Sequence, residues 1–197
     1  VIAILDYGAG NLRSVANTLE EIGSEYVVVR EAPALRRASK IILPGVGHYG
    51  QLLRSLAEME VRETLLEAIR AGVPYLGICL GLQALFEGSE EAPAMRGLGL
   101  FPGKVARFPE GVRVPQMGWN LVSPLRRSRL LAGIRSPAYF YFAHSYYAPV
   151  TEATAALARY AVEYTAVLEQ GTVFGVQFHP EKSGTLGLEV MRNFALL

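Results

Sequence analysis

The sequence predicts an α/β fold, with a mostly parallel central sheet covered by helices and a more β-rich C-terminal half. Three observations predict it. Short continuous apolar runs recur through the first half, as strands buried on both faces require. Stretches with apolar residues at helical spacing lie between them, joined by glycine-rich turns. Beyond residue 97 the helical stretches thin out and strand-like segments separated by Pro and Gly take over.

Residues 1–5, VIAIL, read as the first strand, because they run straight into Asp6 with no basic leader. Leu12, Val15, Leu19 and Ile22 recur at helical spacing and predict the first helix. Residues 26–29, 40–43 and 75–78 are the next three strands, with amphipathic helices over 51–58 and 61–70. In the second half, residues 98–108, 112–114, 138–143, 156–162 and 173–178 read as strands and 186–197 as a closing helix. No linker, low-complexity stretch or repeat interrupts the chain, so residues 1–197 are expected to form one domain.

Composition narrows the function. The chain carries 19 Lys+Arg against 18 Asp+Glu, a balance that excludes binding nucleic acid or anionic lipid mainly through bulk charge. With 51% hydrophobic residues in 197, it has material for a substantial core. The longest apolar stretch, 71–82, holds a proline and three glycines and falls short of the ~18 residues that suggest a membrane span. A single cysteine allows no intramolecular disulfide and no cysteine-rich zinc site, so a reducing, cytoplasmic setting and no metal are expected.

That cysteine has an informative context. Gly77-Ile78-Cys79-Leu80-Gly81 falls between a buried strand and a helix expected to begin near Leu80. This is a G-x-C-x-G form of the nucleophile elbow, whose glycines allow a sharp turn that exposes the nucleophile above the carboxyl edge of the sheet. At a helix N-terminus the dipole favours thiolate over thiol. A free cysteine also packs well as a small buried hydrophobe, and Cys79 alone does not separate the two readings. Gln83, four residues on, would project from nearly the same helix face towards a substrate.

Of the three histidines, His179 is the best placed base. Pro180 holds the residue before it extended, and in an extended chain positions two apart share a side, so His179 and Glu181 face one way. A carboxylate beside an imidazole fixes its tautomer and stabilises the imidazolium. His144 is the competing base and His48 a distant third. Gly45-Val46-Gly47-His48-Tyr49-Gly50 matches G-x-G-x-x-G, but it follows the third strand and lacks the acidic partner of a dinucleotide site. Its better use is backbone donation: an N–H from Val46 or Gly47, together with Leu80 N–H, would form an oxyanion hole beside Cys79. The N-terminal Gly8-Ala9-Gly10-Asn11 has no Walker lysine and reads as a turn.

Cys79 in GICLGLQ, His179 and Glu181 in FHPEKSG, and Pro44-Gly45-Val46-Gly47 together resemble the class I (triad-type) glutamine amidotransferases, in order and in spacing. The stretches DYGAGNLRSV (6–15), PQMGWN (115–120) and AHSYY (143–147) extend the resemblance along the chain. It implies a flavodoxin-like architecture, no cofactor, and hydrolysis of L-glutamine by a triad of Cys79, His179 and Glu181. It further implies that Gly47, Gln83, His144, Ser145 and Tyr146 hold the glutamine. The ammonia would pass to a separate (β/α)₈ cyclase subunit in histidine biosynthesis, forming a heterodimer. Asn11, Met117, Trp119 and Asn120 are the candidates for the docking rim, where exposed apolar and aromatic side chains suit an interface core. An amidotransferase serving another synthase, a stand-alone γ-glutamyl hydrolase and a silent scaffold are the rival readings.

Overall fold

A computed structural model describes all residues, Val1–Leu197. The chain order begins β1 (Ile2–Leu5), α1 (Leu12–Glu21), β2 (Tyr26–Val29), α2 (Ala32–Leu35), β3 (Lys40–Leu43), α3 (Tyr49–Glu58), α4 (Arg62–Arg70) and β4 (Tyr75–Ile78). It continues with α5 (Leu80–Gln83), β5 (Phe86–Ser89), β6 (Phe101–Arg107), β7 (Gln116–Pro124), β8 (Ala138–His144) and β9 (Tyr146–Tyr147). Last come β10 (Thr154–Tyr160), β11 (Val162–Gln170), β12 (Val173–Val176), a 3₁₀ turn (Pro180–Lys182) and α6 (Gly184–Ala195).

Nine strands form one sheet in the order β2-β1-β3-β4-β12-β11-β10-β7-β8, and β5-β6-β9 form a small sheet beside it. The leading strands are short apolar runs whose alternate residues serve two cores. Ile2 and Ile4 of β1 pack with Val15 and Leu19 of α1 and Met191 and Phe194 of α6. Ala3 and Leu5 face the other way, against Leu52 and Leu56 of α3 and Leu65 and Ile69 of α4. Both faces are therefore covered, as parallel strands need. No helix is long and apolar enough to cross a membrane.

The sheet is mixed, which corrects the mostly parallel expectation. From β2 to β12 neighbours run parallel, in the order of doubly wound sheets. From β12 to β8 every pair is antiparallel. The reason lies in the connections: β10 turns into β11 at Ala161, which has a positive φ, and β11 into β12 through Gly171, so neither has room for a crossover helix. The sequence reading blurred these hairpins by running one strand to residue 162 and missing the strand that begins there. Nor did it include α2, β5, β7 or β9, and the expected strand at 112–114 is irregular chain.

One pairing positions the site. Strands β4 and β12 lie side by side in register, Gly77 opposite Gly175 and Ile78 opposite Val176. Residues just beyond their carboxyl ends, Cys79 on one and Gln177 and His179 on the other, therefore emerge together.

Candidate active site

The turn after β4 is an elbow, and close packing explains its glycines. A Cβ on Gly77 would stand 2.3 Å from the Gly81 carbonyl oxygen, and one on Gly81 would stand 2.0 Å from that of Leu43. Cys79 itself adopts φ 53° and ψ −104°, a sparsely populated conformation that costs about 1–3 kcal/mol unless its surroundings enforce it. They do. Cys79 N–H donates to Val176 O at 2.7 Å, and Cys79 O accepts from Leu82 and Gln83 N–H. The Tyr75 hydroxyl donates to Gly81 O at 2.8 Å, fixing the far side of the turn.

Two expectations for the elbow change. Cys79 is only 6% exposed, on the wall of a pocket instead of standing clear of the sheet edge. Helix α5 is a single turn, Leu80–Gln83, too short to build a large dipole, so specific neighbours of the sulphur must set its chemistry.

His179, 1% exposed, shares that pocket. Its Nδ1 lies 2.8 Å from Glu181 Oε1, the pairing that the sequence suggested. The route differs: Pro180–Lys182 is a 3₁₀ turn, which brings Glu181 back under the ring where an extended chain was expected. His179 N–H is anchored to Tyr141 O at 2.8 Å, and the Ser183 hydroxyl donates to His179 O. Burial by itself would lower the His179 pKa, but the adjacent Cys79 sulphur and the Glu181 carboxylate outweigh it and raise it to about 10. The ring is thus held as an imidazolium at neutral pH.

His144 is not placed as a base. Its Nδ1 lies 2.7 Å from Tyr146 O and its Nε2 3.0 Å from the Gln116 side-chain amide. Burial lowers its pKa to about 4, while the Tyr146 carbonyl pulls the other way. Both ring nitrogens thus face carbonyl oxygens, Tyr146 O and Gln116 Oε1, and neither is directed at Cys79 to take its proton.

The cavity around Cys79 measures about 330 Å³ and includes Val46, Gly47, Leu80, Gln83 and the run Ala143–Tyr146 in its lining. All the predicted substrate residues are therefore gathered there. Gln83 is committed more deeply than expected: its Nε2 donates to Tyr146 O at 2.8 Å and to Gln177 Oε1 at 3.1 Å. Of the rim candidates, Met117 and Trp119 are 65% and 57% exposed on β7, Trp119 standing edge-on to Tyr141. Asn120 gives its amide to Arg159 O, and Asn11, away from β7, stands just before α1, where its Oδ1 accepts from the Ser14 hydroxyl and caps no backbone N–H.

The Gly45–Gly47 segment, expected to line an oxyanion hole, is turned away. Leu80 N–H donates to Gly45 O at 3.4 Å, so the Gly45–Val46 peptide points its carbonyl at one intended donor. Because a trans peptide sets N–H opposite C=O, Val46 N–H faces the other way. Gly45 has no room for a side chain, since a Cβ would come within 2.4 Å of Leu80 Cβ. Gly47 holds φ +97°, and the Tyr7 hydroxyl donates to Val46 O at 3.2 Å.

The family model for the class I glutamine amidotransferases matches residues 3–197. The chain belongs to that family. Its curated relatives include the imidazole glycerol phosphate synthase subunit HisH of Methanothermobacter thermautotrophicus, 49% identical over 98% of this chain and 97% of that protein. The subunit of the same name from Thermococcus kodakarensis is 46% identical, with both chains fully covered. Among solved structures, a glutamine amidotransferase superposes with a TM-score of 0.76 over the full length of both chains at 21% identity. PurLQS from Thermotoga maritima gives 0.73 at 22% identity, over 98% of this chain and 96% of that one. These likenesses extend the mixed-sheet fold of this amidotransferase to distant members.

Sequence reasoning missed two residues of the site. Gln177, fully buried, places its side-chain Nε2 3.5 Å from Cys79 Sγ. It stands two positions before His179, a spacing that would place both on one side of an extended chain and so was the available signal. Glu91 is the only acid lining the pocket, and burial raises its pKa although His48 opposes this. It comes from a loop with no motif, and only the tertiary fold brings it in.

Proposed function

We infer that this chain is the glutaminase subunit of imidazole glycerol phosphate synthase. It hydrolyses L-glutamine to L-glutamate and ammonia for a separate (β/α)₈ cyclase subunit, which forms imidazole glycerol phosphate and an aminoimidazole carboxamide ribotide in histidine biosynthesis. The observation that carries this is the near full-length similarity to curated subunits of that synthase in a chain whose cysteine, histidine and glutamate meet in one pocket. Residues 1–197 act as one amidotransferase domain, supported by the single nine-stranded sheet. The lone cysteine, free of any disulfide, supports a cytoplasmic setting.

In the proposed reaction Cys79 Sγ attacks the side-chain amide carbon of glutamine, and the carbonyl oxygen takes up the negative charge. His179 gives its proton to the departing nitrogen, releasing ammonia and leaving a glutamyl thioester. His179, now neutral, takes a proton from the incoming water, and the thioester breaks to glutamate and the free sulphur. Glu181 keeps Nδ1 protonated and the ring aimed, the orienting role of a triad carboxylate. Glu91 suits the α-ammonium of a free amino acid, and Gly47, Gln83, His144, Ser145 and Tyr146 form the rest of the glutamine site.

In the resting state Leu80 N–H is occupied by Gly45 O and Val46 N–H points away, so both proposed oxyanion donors await a peptide rotation. Docking of the cyclase subunit on the Met117 and Trp119 face, with Asn11 and Asn120 at its margin, supplies that rotation. Free ammonia is protonated and lost in water, so glutamine is best hydrolysed only when an acceptor is present.

The test reconstitutes the chain with the cyclase subunit and follows imidazole glycerol phosphate. Cys79→Ala should abolish synthesis from glutamine while synthesis from added ammonium salts continues at the wild-type rate. Glutamine-driven synthesis by the alanine variant, or none by the wild type, would overturn the reading.

A further inference from the structure

The one-turn α5 leaves the state of Cys79 to its immediate neighbours, and two face the sulphur besides His179. Ala143 O lies 3.9 Å from Sγ and Gln177 Nε2 lies 3.5 Å from it. The first can only accept, and so suits a thiol. The second can only donate, and so suits a thiolate.

Which end of the Gln177 amide meets the sulphur follows from the network behind it. Tyr146 O is a carbonyl, so the Gln83 atom 2.8 Å from it must be the amide nitrogen. That nitrogen also lies 3.1 Å from the Gln177 side chain, which must present its oxygen there. The Gln177 NH₂ is then left facing Sγ. Turning this amide round would set two NH₂ groups against each other and an oxygen against the sulphur. The main chain is equally fixed, since Gln177 N–H donates to Ala166 O at 2.9 Å just past the end of β12.

We propose that Gln177 is a catalytic residue outside the triad, whose side-chain N–H donates to the Cys79 thiolate and holds Sγ in its attacking position. The proposal rests on the glutaminase reading. A hydrogen bond to a charged partner typically changes a population by roughly 10- to 10²-fold. A less stabilised thiolate is also the better nucleophile, which recovers about half of that on a logarithmic scale. Loss of the donor should therefore slow simple alkylation of Cys79 by roughly 3- to 10-fold. Glutamine turnover should fall by about tenfold or more, because it also needs the orientation of Sγ.

The experiment compares wild type with Gln177→Met, which keeps the volume and removes the donor, and with Gln177→Glu, which still accepts from Gln83 but sets a carboxylate against the sulphur. Iodoacetamide labelling of the full chain at pH 7 needs no glutamine, so it reads Gln177 even if the glutaminase reading fails. In complex with the cyclase subunit, kcat for glutamine should drop while KM stays within about threefold, and Gln177→Glu should be the slower variant. In unmutated protein the Gln177 side-chain amide proton should shift downfield as the thiolate forms, and should not do so in Cys79→Ala. Wild-type labelling and turnover in a folded Gln177→Met would overturn the proposal. So would an amide signal that ignores the thiolate, even if both variants fail to fold.

Discussion

Replacing Val46 by proline isolates the oxyanion donor from everything else in the site. In the resting form Val46 N–H has no hydrogen-bond partner in the chain, so removing it costs the fold no bond. The preceding residue, Gly45, tolerates the restriction that proline imposes on its neighbour. A missing oxyanion donor typically costs roughly 10² to 10³ in rate, or about 3–4 kcal/mol at the transition state. The contact opposing rotation is Leu80 N–H to Gly45 O, long at 3.4 Å and worth about 1 kcal/mol or less. Docking must therefore provide mainly the bias between two peptide orientations: about 3–4 kcal/mol of differential binding brings a minor form of one in 10² to 10³ to parity, and about 1–2 kcal/mol more makes it dominant. The assay is glutamate release by the chain alone, with the cyclase subunit, and with the cyclase plus its ribonucleotide ligand. Wild type should accelerate by roughly 10²-fold or more in the complex. The Val46→Pro variant should bind the partner, keep its KM for glutamine within a few fold, and remain at the slow basal rate. Full stimulation of the proline variant would refute Val46 as the donor, and equal wild-type rates with and without partner would refute the gate itself.

The two buried histidines should shape stability on opposite sides of neutrality. His179, raised to about 10, contributes stability fully present below its ordinary value of 6.5 and lost as pH climbs from there through 10. His144, lowered to about 4, binds fewer protons folded than unfolded between pH 4 and 6.5, so stability falls as pH drops through that window. Melting temperature against pH should flatten on the alkaline side in His179→Ala and on the acid side in His144→Asn; limbs unchanged by these substitutions would contradict the assignments. Trp119→Ala, at a largely exposed site, should alter stability by no more than about 0.5 kcal/mol. It should nonetheless weaken cyclase binding by about 2 kcal/mol, roughly 30-fold, and an unchanged calorimetric affinity would remove Trp119 from the interface.

Local patterns in the sequence determined a good deal. The runs that became β1 to β4 and the elbow glycines around Cys79 follow from neighbour-to-neighbour sterics and periodicity; the pairing of His179 with Glu181 was legible too, although a 3₁₀ turn and not strand alternation makes it. Motif order along the chain was enough to identify the family. Wherever the answer depended on distant segments, the tertiary structure decided. The antiparallel half of the sheet was misread because hairpin partners such as β10 and β11 are chosen by cross-strand packing, which no single segment displays. Cys79 and Gln177 are 98 positions apart, and their contact exists only because β4 and β12 lie in register. The direction of the Gly45–Val46 peptide is likewise invisible in PGVG, since glycine tolerates either orientation and a hydrogen bond from Leu80, on another element, selects one.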